Sequence, residues 1–170
     1  MEPPGFYLLK ITLNGARLRR LCYGLKNLAG AVTSGREIAG VAKHLLDTTA
    51  LIDHLNGRQP VVTLLTKLAL QGHELGLCCI NIAELYSGLD NDERIKADML
   101  INGLDYYEIS EDMAKVAGVY RFEFARKGIT LTIADTLIAA VARGYGAILV
   151  TANVRDYPME DIDLLLASGQ

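Results

Sequence analysis

Four acidic residues, Asp47, Glu84, Asp135 and Asp156, stand where a fold could turn them on a single target. Asp47 closes a short apolar run, KHLLD at 43–47. Glu84 comes three residues after Asn81, and Asp135 three residues after Thr132. Asp156 follows the apolar run AILVT at 147–151, inside the stretch TANVRD. Each acid has an ordinary local use. Asn81-Ile-Ala-Glu84 and Thr132-Ile-Ala-Asp135 both fit a helix-capping pattern, a polar cap with an acid three positions on. Asp47 fits an N-cap, and Asp156 fits a turn. A first-turn acid can cap a helix and still point at a ligand, so local sequence leaves both uses open. Co-occurrence at one edge would change their meaning. Four crowded carboxylates repel one another, and a divalent cation among them relieves the repulsion. Oxygen donors without a His/Cys set suit Mg2+ or Mn2+ rather than zinc. Mg2+ keeps several waters and shares its carboxylates with phosphate oxygens, which is the chemistry of phosphodiester hydrolysis.

The elements that must position these acids follow from apolar runs and their punctuation. Strands are expected at 43–47, 77–80 (LCCI), 106–109 and 147–151, with a fifth near 162–166. Between them the pattern predicts a short helix at 49–55 that stops at Asn56-Gly57. A second helix starts at Pro60, with Val62, Leu65, Ala69 and Leu70 on one face. Further helices are predicted at 81–89 and 92–104. A long one is capped by Ser110 and ended by Gly128, and another runs over 133–143 behind the cap Thr132. Strands alternating with helices, each strand a continuous apolar run, predict a three-layer α/β/α fold. Its parallel central sheet has four to five strands. Ligands bind such sheets beyond the carboxyl ends of the strands. Asp47, Glu84 and Asp156 all follow carboxyl ends. Asp135 reaches the same edge if its helix begins there and runs back as a crossover.

The chain has 170 residues, 51% of them hydrophobic, which is enough for one sizeable core. Its three cysteines, Cys22, Cys78 and Cys79, contain no CxxC and are read as small core hydrophobes in a reducing, cytoplasmic setting. No apolar run approaches the length of a membrane span, and Lys10, Arg17, Arg19 and Arg20 interrupt the N-terminal apolar patches. The net charge of −3 divides unevenly. Residues 1–43 carry seven Lys/Arg and two Asp/Glu, net +5, whereas residues 44–170 carry ten and eighteen, net −8. An acidic body argues against nucleic-acid binding by charge alone, but suits an acidic site neutralised by metal. Residues 1–40 are irregular and read as an N-terminal extension, helical around 16–28 at best. The regular domain occupies 41–170.

The stretches HLLDTTALIDHL (44–55), INIAELYSGL (80–89) and LTIADTLIAAVARGYGAILVTANVRDY (131–157), with Ile162 and Leu164, occur in an order and spacing that resembles the PIN-domain family. Within it they are most similar to the VapC-type toxins of prokaryotic toxin–antitoxin pairs. The resemblance spans about residues 43–166. It implies a metal-dependent ribonuclease with Asp47 and Asp135 as core metal ligands. It adds Glu84 as a third acid or water-positioning group and Asp156 as the fourth. Thr48, Thr151 and Asn153 become polar supports. It also implies an RNA substrate, a cognate antitoxin whose tail covers the cleft, and a homodimer. The match begins late for this family, so residues 1–40 are either a genuine addition or a start set too early, with Val41 as an alternative start. Tyr157 stands where the family often has phenylalanine. Among Arg121, Arg126, Lys127, Arg143 and Arg155, the last is the best candidate for binding substrate, because it adjoins Asp156.

Other readings of the acids fit less well. A haloacid-dehalogenase-type phosphatase needs an acid two residues after Asp47, where Thr49 stands. A non-catalytic PIN-like domain that binds RNA or a partner would not need all four acids.

Overall fold

The structure, a computed structural model, describes residues 40–167. Cys22 and the expectations for the N-terminal extension fall outside the described residues. Five parallel strands form one sheet: β1 Lys43–Leu46, β2 Glu74–Leu77, β3 Asp105–Tyr106, β4 Ile148–Thr151 and β5 Leu164–Leu166. Their spatial order is β3-β2-β1-β4-β5. Six helices connect them: α1 Thr48–Leu55, α2 Gln59–Leu70, α3 Cys79–Ser87, α4 Asn91–Ile101, α5 Glu111–Arg126 and α6 Ile133–Tyr145. A short 3-10 turn, Val154–Asp156, follows β4.

The alternation of side chains along the two central strands divides the core. Leu45 and Leu149 face one side of the sheet, where Ile138, Ala139 and Val141 of α6 and Ala117 and Tyr120 of α5 pack. Leu46 and Val150 face the other side, against Ala50 and Leu51 of α1 and Val61, Leu65 and Leu68 of α2. Each fully buried leucine contributes about 2 kcal/mol of hydrophobic stabilisation. Both faces of β1 are therefore covered, which is why His44, Leu45 and Leu46 are all buried. The expected three-layer α/β/α architecture with a parallel sheet is present.

β1 is central and has β2 on one side and β4 on the other, with His44 opposite both Leu75 and Ile148. The chain winds outward from β1 through β2 to β3, then returns to β1's other side for β4 and β5. The strand order thus reverses at β1 and β4. At such a reversal the flanking connections leave in opposite directions and open a crevice at the carboxyl edge.

Several boundaries differ from the sequence-based expectation. β1 ends at Leu46, and Asp47 is the N-cap of α1, which begins at Thr48. β2 lies earlier than LCCI. Gly76 sits within it because an added Cβ would stand 2.8 Å from the Tyr107 ring and 2.9 Å from the Asp105 carbonyl. Cys78 is then the N-cap of α3 and is buried, whereas Cys79 is exposed, so only one of the two is a core residue. On α2 the buried face is Val61, Leu65 and Leu68, and Leu70 is exposed. β3 is only two residues long, and α4, capped by Asp90, starts one residue before the expected position and ends at Ile101, three residues short of it. The Ser110 and Thr132 caps are as expected, with Ser110 Oγ accepting from Met113 N and Thr132 Oγ1 from Asp135 N. Gly146, at φ 58°, ends α6 in the left-handed conformation that glycine adopts without strain. Among the described residues, no helix is long and apolar enough to cross a membrane.

Candidate active site

Asp47 lies at the reversal point itself. Its backbone N–H donates to the Val150 carbonyl at 2.9 Å, continuing the β1–β4 pairing by one residue. Its side chain is 5% exposed, and burial of a carboxylate demands compensation. Four donors supply it. Oδ1 accepts from Thr48 N at 2.8 Å and from the Tyr157 hydroxyl at 2.8 Å. Oδ2 accepts from Thr49 Oγ1 at 2.6 Å and from Thr151 Oγ1 at 2.8 Å. The two threonine oxygens are themselves held by backbone amides, Ala152 N on Thr49 and Asn153 N on Thr151. The loop leaving β4 is therefore tied to the start of α1 through one carboxylate.

Glu84 lies in the second turn of α3, not the first, because α3 starts at Cys79. Asn81 is not its cap. Asn81 is fully buried, and its Oδ1 accepts from Cys78 N at 2.9 Å. Its Nδ2 donates to Thr48 Oγ1 at 3.2 Å, and Thr48 Oγ1 donates to Glu84 Oε2 at 2.6 Å. Thr48 thus joins Asp47, through its amide, to Glu84, through its hydroxyl.

Asp135 lies in the first turn of α6, which starts at the carboxyl edge and runs back to β4, as expected of a crossover helix. Thr132 Oγ1 donates to Asp135 Oδ2 at 2.5 Å. Burial raises the Asp135 pKa above its ordinary value, the Thr132 hydrogen bond opposes this, and the charges of Asp156 and Asp47 raise it further. Asp156 ends the 3-10 turn after β4 and accepts from Asn153 Nδ2 at 2.6 Å. The Tyr157 hydroxyl is pushed up by burial and by the charges of Asp47, Asp135 and Glu84. Asp47 and Asp156 thus lie near enough to act on Asp135, and the Tyr157 hydroxyl feels the charges of Asp47, Asp135 and Glu84.

The capping uses of Asp47 and Asp135 are real, and they coexist with rim placement. Thr48, Thr151 and Asn153 all hold an acid or its partner. Arg155 is exposed beside Asp156. Arg121 donates through Nε to the Leu131 carbonyl at 3.2 Å, next to the α6 cap. Arg143 is placed differently, near the other end of α6 and paired with Asp161 at 3.2 Å. Thr49, Asn81 and Tyr157 were not singled out as site residues from sequence. The only signal for Thr49 was its place in the Asp-Thr-Thr run.

Among the described residues, no three His, Cys, Asp or Glu side chains are close enough to grip an ion as they stand. The donor set nevertheless fits a hard cation, being all carboxylate oxygen. The mutual charge that raises Asp135 is what such an ion relieves. A cavity of about 300 Å3 lined by Val116, Tyr120, Arg143 and Asp161 contains none of the four acids.

Comparison with known proteins identifies the fold. Residues 44–163 match the family model of the PIN domain. The chain is 32% identical over 117 residues to Ribonuclease VapC19 of Mycobacterium tuberculosis, covering 68% of this chain and 92% of that protein. Its fold is similar to VapBC2 from Rickettsia felis bound to a promoter DNA fragment. That match has a TM-score of 0.66 at 24% identity, covering 73% of this chain and 98% of that one. A similar match is to DNA-bound VapBC from Salmonella typhimurium, with a TM-score of 0.66 at 23% identity, covering 75% and 100%. The chain belongs to the PIN-domain family and, within it, to the VapC group.

Proposed function

We propose that this protein is a ribonuclease dependent on Mg2+ or Mn2+ and the toxin of a toxin–antitoxin pair. The feature that supports this reading most is the influence of Asp47 and Asp156 on Asp135, with Glu84 tied to Asp47 through Thr48, in a chain related to Ribonuclease VapC19. Asp47 and Asp135 are the core ligands of the cation. Glu84, held by Thr48, and Asp156, held by Asn153, complete the site directly or through water. When bound, the cation supplies positive charge for the scissile phosphate and lowers the pKa of water. Thr49 and Thr151 keep the Asp47 charge in place at the buried end of the crevice. Arg155, on the exposed lip, binds a phosphate of the RNA.

A cognate antitoxin covers the rim, a homodimer is the working form, and the cytoplasm is its location. The antitoxin is supported by similarity in fold to a toxin–antitoxin complex from Klebsiella pneumoniae. The test is cleavage of RNA with Mg2+ or Mn2+ against EDTA, for the wild type, Asp47→Asn and Asp135→Asn. Cleavage is expected only for the wild type with metal, and losing a core ligand lowers the rate about a thousandfold. Cleavage in EDTA that survives both substitutions refutes the assignment. RNA bound but never cut would install the non-catalytic reading instead.

A further inference from the structure

The four donors around Asp47 divide evenly in number between its two oxygens and unevenly in freedom. Oδ1 has the Thr48 amide and the Tyr157 hydroxyl, and Oδ2 has the Thr49 and Thr151 hydroxyls. A carboxylate oxygen offers about two lone-pair sites, so both oxygens are full. A cation can reach Asp47 only where a donor turns away. Threonine protons rotate about the Cβ–Oγ1 bond. Both threonine oxygens keep their backbone donors, Ala152 N and Asn153 N, whichever way that proton points. The Thr48 amide is fixed in the first turn of α1. The Tyr157 ring is 2% exposed and packs in the core with Leu45, Ile138 and Leu149. Conjugation keeps a phenol proton near the ring plane, and turning it from Asp47 would leave a buried donor without its acceptor.

We propose that Tyr157 is a positioning residue that commits Oδ1 of Asp47 to the protein and leaves Oδ2 as the oxygen offered to the cation. The proposal rests on the metal-dependent reading above. Hydroxyl and cation then stabilise the same negative charge, so each weakens the hold of the other. The chain accepts looser cation binding in exchange for a carboxylate of fixed orientation.

The test compares the full-length wild type with Y157F, which keeps the ring. Melting temperatures are measured in EDTA and in saturating Mn2+, and the Mn2+ Kd is measured from the electron paramagnetic resonance signal of the free ion. Y157F is expected to melt below the wild type in EDTA, with the gap narrowing in Mn2+, and its Kd is expected to be about three- to tenfold lower. The same gap with and without Mn2+, together with an unchanged Kd, means that the hydroxyl is merely structural and overturns the proposal. A wild type that Mn2+ neither binds nor stabilises overturns the metal-dependent reading, and the proposal with it. Should Y157F not fold, T49V serves as the second arm. It removes a donor from Oδ2 and leaves Tyr157 in place, so a lower Mn2+ Kd supports the assignment of Oδ2 and an unchanged one overturns it.

Discussion

Replacing Asn81 by alanine should damage this protein more than any surface substitution. Asn81 is fully buried, and its carboxamide is the acceptor for Cys78 N at 2.9 Å and for Cys78 Sγ at 3.2 Å. It is also a donor to Thr48 Oγ1 at 3.2 Å. Alanine leaves the Cys78 amide, buried at the N-cap of α3, without that acceptor, which costs about 1–3 kcal/mol. The vacated volume of the carboxamide adds about 1 kcal/mol. The sum is about 2–4 kcal/mol, a large fraction of the stability of a domain this size. With a urea m-value of about 2 kcal/mol/M, the unfolding midpoint should fall by about 1–2 M. Equilibrium urea unfolding followed by far-UV circular dichroism measures it. The loss should come without a change in slope. Thr48 also loses the donor that fixes its hydroxyl, so Glu84 becomes freer and cleavage should fall even where the variant is folded. A midpoint shift below about 0.25 M, with an unchanged slope, would refute the account, because no buried amide could then have been orphaned.

Asp135→Asn should raise the melting temperature in EDTA at pH 7 and abolish the increment produced by Mg2+. The folded pKa of Asp135 is raised, so its ionised form opposes folding once the pH exceeds the unfolded value, and the amide removes that penalty. His44 acts in the opposite pH direction. Burial and then the nearby His73 lower its pKa below the ordinary 6.5, so the neutral ring favours the folded state. That contribution is complete above the unfolded pKa and is lost as the pH falls through the range below it, so urea midpoints should drop between pH 7.5 and 5.5, with a shallower drop in His44→Gln. Gly76→Ala should destabilise by about 1–3 kcal/mol in thermal unfolding, because its Cβ meets the Tyr107 ring and the Asp105 carbonyl.

The architecture was legible because both faces of β1 and β4 are covered, which leaves continuous apolar runs between clear helix caps. Asp135 could be placed on the rim from Thr132 and the direction a crossover must take. The errors cluster where local signals overlap. LCCI looks like a strand because it is apolar and β-favouring, yet it straddles the end of β2, and its cysteines start a helix. Glycine in ELGL hides the true strand, because the reason for Gly76 is a ring thirty-one positions later in the chain. The support of Asp47 was the least legible part. Tyr157 reaches it across 110 positions, and Thr151, 104 positions away, was expected only through the family resemblance. Nothing local marks a phenol or an alcohol as the partner of a distant carboxylate.

All five strands run the same way, so the two ends of the described body sit at opposite edges of the sheet. Ala42 accepts from Glu74 N at the amino edge, where β1 begins. Ala167 N donates to the Thr151 carbonyl at the carboxyl edge, beside the hydroxyl that holds Asp47. An affinity tag or fluorescent fusion placed ahead of residue 40 therefore joins the body far from the crevice. The same fusion after Ala167 emerges at its mouth, where it would compete with any large ligand for space.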